Sequence, residues 1–358
     1  MTRTKVITGS RNLITDILGV KVGNAENIDF GTGVTYIKLS KKFKASAAVI
    51  GGAPASHEID LLNPNNTVEY IDGIILSGGS VFGLASASEV VDILYKENRG
   101  YKIRDSNISI PIVPCASIYD LSKKMSKNIS SKIYIELIKH AYNSAGHDFR
   151  LGSNGAGYGA RSGSIKGGQG SASIRFPGGA TIGAISIVNS FGSTIIPGTN
   201  ILYSSFYELE DELGGNLKNF YEDLINYSTD QSINDISIDQ NQKQAGKNTT
   251  ISVIATNIEL SKLQLYKIAK MSFTGLSRAI RPVGTSFDGD LTFVISSCEK
   301  KLDISDQLFT TISSLSADTL TRSIGRAIYN AETRNGIIGY RDMINNNIKL
   351  KLKENFHE

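Results

Sequence analysis

Cysteine is nearly absent: Cys115 and Cys298 are the only two in 358 residues. That excludes a disulfide framework and a zinc cluster, and each thiol is expected as a small buried hydrophobe. Histidine is scarce as well. His57, His140, His147 and His357 show no metal spacing such as His-Glu-x-x-His, and no serine sits in a Gly-x-Ser-x-Gly elbow. A conventional catalytic triad and a catalytic metal are set aside on this inventory, and no cofactor is expected.

Long apolar runs are missing too. None approaches the length of a membrane span, and Met1 to Arg11 lacks the apolar core of a signal peptide. A cytoplasmic protein with no membrane partner is the expectation, and the formal sequon Asn248-Thr249-Thr250 has no use there. The net charge is only +4. Its lysines are dispersed through Lys38, Lys41, Lys42, Lys44, Lys123, Lys124, Lys127, Lys349, Lys351 and Lys353. With no aromatic-interleaved basic stripe they read as solvated faces, and no nucleic-acid partner is expected.

Apolar material is ample, with 40% hydrophobic and 20% charged residues, enough for one large domain or two smaller ones. Short apolar runs at residues 33–39, 45–50 and 73–77, bounded by Gly, Asn, Asp or Pro, predict strands of a half-buried sheet. Residues 81–98 carry Leu84, Ala87, Val90, Val91 and Leu94 at helical spacing and meet a glycine stop at Arg99-Gly100. From Gly152 to Gly192 the chain is dense in glycine, which means tight turns and close backbone approaches. No Walker signature occurs, and Gly155, Gly157 and Gly159 miss the dinucleotide fingerprint. Residues 180–188 then read as a buried strand ending in Asn189-Ser190-Phe191-Gly192.

After Tyr227 the composition turns to Ser, Asp, Asn, Gln and Lys as far as Asn248. This predicts a mobile surface connection. A strand at residues 249–256 follows, then a helix near 261–280, a strand at 291–296 and a helix near 305–330. The last third is thus a β-α-β-α unit that begins on Thr249.

That strand, Asn248-Thr249-Thr250-Ile251-Ser252-Val253-Ile254-Ala255-Thr256, begins abruptly on two hydroxyl residues. Taken alone it reads as ordinary strand composition. A break at the Asn248-Thr249 bond would instead leave Thr249 with a hydroxyl nucleophile and a free amine on one residue. Such an amine titrates near pH 7.7–8.0, by the reference value for an α-amino group of about that magnitude, and can take the proton from its own Oγ without a histidine.

Three other elements bear on that chemistry. Asp288 and Asp290, spaced i, i+2 before an apolar strand, read either as an Asp-Gly turn or as two carboxylates that hold an ammonium and orient a hydroxyl. Lys166, flanked by glycines, is either solvated or a charge that favours a deprotonated amine. Asn189 either closes a turn or donates its amide to an oxyanion.

Read together, the motifs resemble the self-processing aminopeptidases and amidases that include the D-aminopeptidase DmpA, the β-peptidyl aminopeptidases and the nylon-oligomer hydrolase. The likeness runs from about Ile14 to Ala331. It is carried by residues 14–23, 31–35, Gly51-Gly52-Ala53-Pro54, Asp60-Leu61-Leu62, residues 76–84, Pro111-Ile112-Val113-Pro114 and Ile118-Tyr119-Asp120-Leu121. Val188-Asn189-Ser190-Phe191-Gly192, the Thr249 strand, residues 278–283 and Asp288-Gly289-Asp290 complete it.

The resemblance implies an α+β fold, an αββα sandwich like that of N-terminal-nucleophile hydrolases but with its own connectivity. It implies one catalytic domain over residues 1–358, cut between Asn248 and Thr249 into an α chain (1–248) and a β chain (249–358). A homo-oligomer of αβ units follows, a tetramer among its forms. Thr249 would be the nucleophile, Asn189 an oxyanion donor and Tyr119 a pocket hydroxyl. Lys166, Asp288 and Asp290 would form the charge network, and small peptides or amino-acid amides would be the substrates. The peptidase branch uses a serine nucleophile and a Ser-Gly-Glu element, so this chain looks closer to the nylon-hydrolase branch. His57 and Gly284 stand where many relatives have other residues. Two other readings stay open: an acyltransferase of the ornithine acetyltransferase type, and a glycine-rich binding protein that is never processed.

Overall fold

Two sheets face one another and each is backed by helices in the computed structural model, which describes residues 6–104, 107–121, 128–215, 217 and 248–346. The strands are β1 (Ile7–Thr8), β2 (Val20–Asn27), β3 (Thr32–Val49), β4 (Ala55–His57), β5 (Tyr70–Ser77), β6 (Tyr101–Lys102) and β7 (Ser109–Ile110). They continue as β8 (Cys115–Ser117), β9 (Arg161–Ser162), β10 (Ile165–Lys166), β11 (Gly168–Phe176), β12 (Ala180–Asn189), β13 (Thr249–Ile258) and β14 (Leu291–Lys300). The α-helices are α1 (Ser86–Lys96), α2 (Ser131–Ser144), α3 (Lys262–Ser277), α4 (Asp306–Tyr329) and α5 (Tyr340–Asn345).

Hydrogen bonding runs β1-β11-β12-β13-β14-β3-β5-β8-β4, with β2 also on β3. The long strand β3 makes this one ladder into two layers. Residues 44–49 pair with β14, whereas residues 32–39 pair with β2. Pairing with β5 slips between Lys38 and Phe43. An irregularity of this kind bends a strand and increases its twist, which carries β3 from one sheet to the other. The two strands expected at 33–39 and 45–50 are therefore one.

Three cores fill the three interfaces between the layers. Alternation along each strand sends side chains to opposite faces. On β12, Ile182, Ala184 and Val188 pack toward α3 and α4, while Ile185 and Ile187 pack between the sheets. On β13, Ile254 and Ile258 face the helices, and Ile251, Val253 and Ala255 face the other sheet. In the second sheet Val34, Tyr36 and Ile75 lie under α1 and α2. The arrangement is an αββα sandwich.

Helix boundaries follow capping. Ser261 caps α3 in a box with Gln264, and Ser305 caps α4 through the Leu308 N–H. The helix expected over 81–98 is shorter. Gly79 and Ser80 are left-handed, the chain makes a 3-10 turn over Ser80–Ala85, and only then does α1 begin. A Cβ at Gly83 would stand 1.9 Å from the Gly78 carbonyl oxygen, so the turn is tighter than an α-helix allows.

Of the dense glycines, Gly168 and Gly170 serve helix packing, while Gly152, Gly155, Gly163, Gly178 and Gly179 turn the chain at positive φ. A Cβ at Gly170 would fall 1.9 Å from the Ser323 carbonyl oxygen, so its absence lets β11 lie directly on the α4 backbone. Cys115 is buried as expected, but Cys298 is half-buried with a positive φ at the end of β14. Lys38 is not simply solvated, because its Nζ lies 3.7 Å from the centre of the Tyr142 ring. The polar connection before Lys247 and the lysines at 123, 124, 127, 349, 351 and 353 lie outside the described residues. Among those described, no helix is long and apolar enough to cross a membrane.

Candidate active site

Strand direction brings the chemistry to one end of the sandwich. β12 runs antiparallel to β13 with Asn189 opposite Thr249, so the end of one lies beside the start of the other. β14 runs parallel to β13, which puts Asp288, Gly289 and Asp290 at that same end. Directly opposed residues share a face, with Cβ atoms ~5 Å apart. Thr249 and Asn189 have the parity of Ile251 and Ile187, so both side chains belong to the inner face between the sheets.

The two hydroxyls that open β13 thus separate. Thr249 is 3% exposed and its Oγ1 donates to the carbonyl oxygen of Asn248 at 2.6 Å. That oxygen also accepts the Gly289 N–H at 2.9 Å. Thr250 points to the other face, fully buried, and its Oγ1 has no hydrogen-bond partner. Only the first threonine meets a reactive group.

The loop holding Gly289 is fixed on both sides. Ala53 N–H reaches the Asp288 carbonyl at 2.8 Å, and Ile50 N–H reaches that of Asp290 at 2.8 Å. Asp290 accepts the Thr250 N–H at 2.6 Å on one oxygen and the Gly284 N–H at 2.9 Å on the other. Asp288 accepts the Thr285 N–H at 2.9 Å and its hydroxyl at 2.6 Å, with the Phe191 amide as a further donor. Burial pushes both carboxyls above the ordinary range, and for Asp290 the neighbouring Asp288 charge adds to it.

The acids therefore bind backbone amides rather than the Thr249 hydroxyl. They fix the Asn248–Thr250 segment against the loop before β14. Gly284, for which the sequence offered no role, supplies one of those amides at φ +68°.

Asn189 is clamped at both ends of its amide. Its Oδ1 accepts the Arg161 N–H at 3.0 Å and its Nδ2 donates to the Tyr119 carbonyl at 3.2 Å. Tyr119, expected as a pocket hydroxyl, enters this network through its main chain. Lys166 is 1% exposed, not a solvated loop lysine. Its Nζ donates to the carbonyl of Ala160 at 2.7 Å and lies 3.4 and 3.3 Å from those of Gly157 and Gly167. Burial first, then Arg334 and Arg161, pull it down to about 7 against the opposing pull of Asp120. Its contacts are with the turn that supplies Arg161, not with Thr249.

Asp120 is the residue that sequence reasoning passed over. It accepts the Gly79 N–H at 2.7 Å and the Thr32 hydroxyl at 2.8 Å, and burial pushes it up to about 6. A carboxylate directly after Tyr119 was the available signal. Among the described residues no group of histidine, cysteine or acidic side chains could hold a metal ion.

The model of peptidase family S58 matches residues 12–341, and the chain belongs to that family. It is a hydrolase of peptide or amide bonds. A protein of Mycobacterium bovis described as an uncharacterized aminopeptidase is 32% identical over 350 residues, covering 93% of this chain and 98% of that one. A 6-aminohexanoate-oligomer endohydrolase of Kocuria is 26% identical over 313 residues, covering 82% and 77%. The L-aminopeptidase D-Ala-esterase/amidase of Ochrobactrum anthropi, described as a prototype of the serine aminopeptidases and a variant of the Ntn hydrolase fold, superposes with a TM-score of 0.68. The identity there is 19%, with 96% of both chains covered.

Proposed function

We propose that this chain is a self-processing aminopeptidase or amidase whose nucleophile is Thr249, released as a new amino terminus by cleavage after Asn248. One observation carries the reading: the Thr249 hydroxyl lies against the carbonyl oxygen of the bond it would cut, and the Gly289 N–H binds that same oxygen. In maturation Oγ1 adds to the Asn248 carbonyl carbon and the developing oxyanion is held by Gly289. The carbon–nitrogen bond breaks as the proton of the hydroxyl passes to the Thr249 nitrogen, and an ester links Asn248 to Oγ1. Water then hydrolyses the ester to give an α chain of residues 1–248 and a β chain of residues 249–358.

In turnover the Thr249 amine takes the proton of its own hydroxyl, and the acyl carbon of substrate occupies the place left by Asn248. Gly289 N–H again faces the oxyanion, with Asn189 opposite the nucleophile as the second polar group. The amine returns its proton to the leaving nitrogen, and water clears the acyl-enzyme. Small peptides and amino-acid amides are the proposed substrates, a choice supported by the aminopeptidase and oligomer-hydrolase relatives. The αβ unit is proposed to assemble into a homo-oligomer, which light scattering after gel filtration measures.

Denaturing mass spectrometry of the purified protein tests the scheme. Two fragments that split after Asn248 are expected, together with activity on amino-acid amides. A chain that stays whole and inactive sinks it. Product analysis with an added amine acceptor separates hydrolysis from acyl transfer.

A further inference from the structure

Neither end of the Asn189 amide is held by its own strand. One is held by the Tyr119 carbonyl and the other by the Arg161 N–H, and both of those peptides lead back to one carboxyl group. We propose that Asp120 is a positioning residue for the reaction: it fixes the two peptides that orient Asn189 opposite Thr249, and it touches neither. This rests on the reading of Thr249 as the nucleophile.

The first route runs through the adjacent residue. Asp120 Oδ1 accepts the Gly79 N–H at 2.7 Å and Oδ2 accepts the Thr32 hydroxyl at 2.8 Å. Thr32 opens β3 and Gly79 follows β5, so the carboxylate ties residue 120 to two strands of the second sheet. Tyr119, bonded directly before it, thus carries its carbonyl to Asn189 from an anchored neighbour.

The second route runs through Lys166. The Asp120 carboxyl lies against Gly159, where a Cβ would come within 2.6 Å of Oδ2. Among the charged groups around the Lys166 amine, Asp120 is the one that favours its charged form. That amine gathers the carbonyls of Gly157, Ala160 and Gly167, and the Ala160–Arg161 peptide supplies the N–H on Asn189. Asp120 thus sets the acceptor and the donor that read the two ends of one amide. Reversing that amide would set Nδ2 against the Arg161 N–H and Oδ1 against the Tyr119 carbonyl, and both bonds would be lost.

The groups that face Asp120 are Thr32, the Gly79 amide, Lys166 and the Tyr134 hydroxyl; those that face Lys166 are Asp120, Arg161 and Arg334. Ionised Asp120 is the form that accepts both of its bonds, so activity through this route falls as pH drops through about 6.

Asp120→Asn in the full chain is the test, read by the rate of self-cleavage and by kcat and KM on an amino-acid amide from pH 5 to 8. Misplaced catalytic groups cost on the order of 10²-fold, so kcat is expected to fall tenfold to about a hundredfold with KM little changed. In the rate of self-cleavage, where the Thr249 amine is not yet free, the acid limb near pH 6 should also disappear. Thr32→Val, which keeps the charge but removes one bond to it, should move that limb to higher pH, and it decides the matter if the first variant does not fold. Wild-type rates and an unmoved acid limb in the folded variants overturn the inference. Thr249→Ala separates the two readings: cleavage that persists in that variant removes the nucleophile, whereas a dead Thr249→Ala beside a wild-type Asp120→Asn removes only the role of Asp120.

Discussion

Thr249 and Asn248 are neighbours in the chain whose polar atoms meet: the hydroxyl of the first donates to the carbonyl of the second at 2.6 Å. The bond between them is the one that would have to break, and its oxygen is already held by a second donor, Gly289 N–H, at 2.9 Å. Replacing Thr249 by Val keeps the β-branched shape that suits the start of β13 and deletes the hydroxyl. The variant is expected to fold, to migrate as one uncut chain on a denaturing gel and to lose amidase activity. Thr249→Ser should still cut. Cleavage in the valine variant would dismiss the proposed nucleophile.

Gly289 is the next residue to test, because its lack of a side chain matters twice. A Cβ there would stand 2.7 Å from Thr249 Oγ1 and 2.7 Å from the Ala53 carbonyl oxygen. Gly289→Ala must therefore move the loop, and the N–H moves with it. Loss of one oxyanion donor costs about 10²–10³ in rate, and the variant is expected to process that much more slowly. A time course of fragment appearance, with thermal melting as the control for folding, measures it. Processing at the wild-type rate would separate this amide from the chemistry.

Much of the sandwich was legible because it is built from strong local signals. Ser261 and Ser305 are caps, and the runs from Thr249 and Leu291 are rich in β-branched residues, so the last third could be read off residue by residue. The bend inside β3 was not legible, because Ser40-Lys41-Lys42 looks like a turn although the chain passes through it extended. In the site, Thr249, Asn189 and the two aspartates could be named from the sequence. Their partners could not: the acids bind the amides of Thr250, Gly284, Thr285 and Phe191, contacts made across the fold by main-chain groups that every residue possesses. Asp120 escaped notice for the same reason, since its bonds go to a glycine amide and a threonine on other strands.

Burial of Lys166 leaves a mark on stability against pH. Its folded value lies near 7 against 10.5 for an exposed lysine. Between those values the unfolded chain binds a proton that the folded one does not, so this group makes stability rise with pH, by up to about 1.4 kcal/mol per unit. The contribution is fully present above the unfolded value and is lost as pH falls through about 7. Lys166→Met should flatten the dependence of unfolding free energy on pH between 7 and 10, measured by urea titration at fixed ionic strength. An unchanged slope would mean that the amine stays protonated in the fold.

A buried charge cluster bridges the proposed break. Arg322, 2% exposed, reaches Glu212 with its Nε and again with Nη2 at 2.9 Å, while Arg326 lies 3.6 Å from the same carboxylate. Asn12 donates to Glu212 at 2.6 Å and accepts from Arg322 at 3.0 Å. Asn12 and Glu212 precede Asn248 in sequence and both arginines follow it, so after cleavage this cluster would join the two chains. Removing the carboxylate strands Arg322 in the interior, and a buried pair broken on one side costs about 3–5 kcal/mol. Glu212→Gln is expected to lower the urea midpoint accordingly and, in processed protein, to let the fragments separate at lower denaturant than in the wild type. A loss below about 1 kcal/mol, the range of an exposed pair, would mean that water reaches the cluster and that the chains are held by their apolar layers alone.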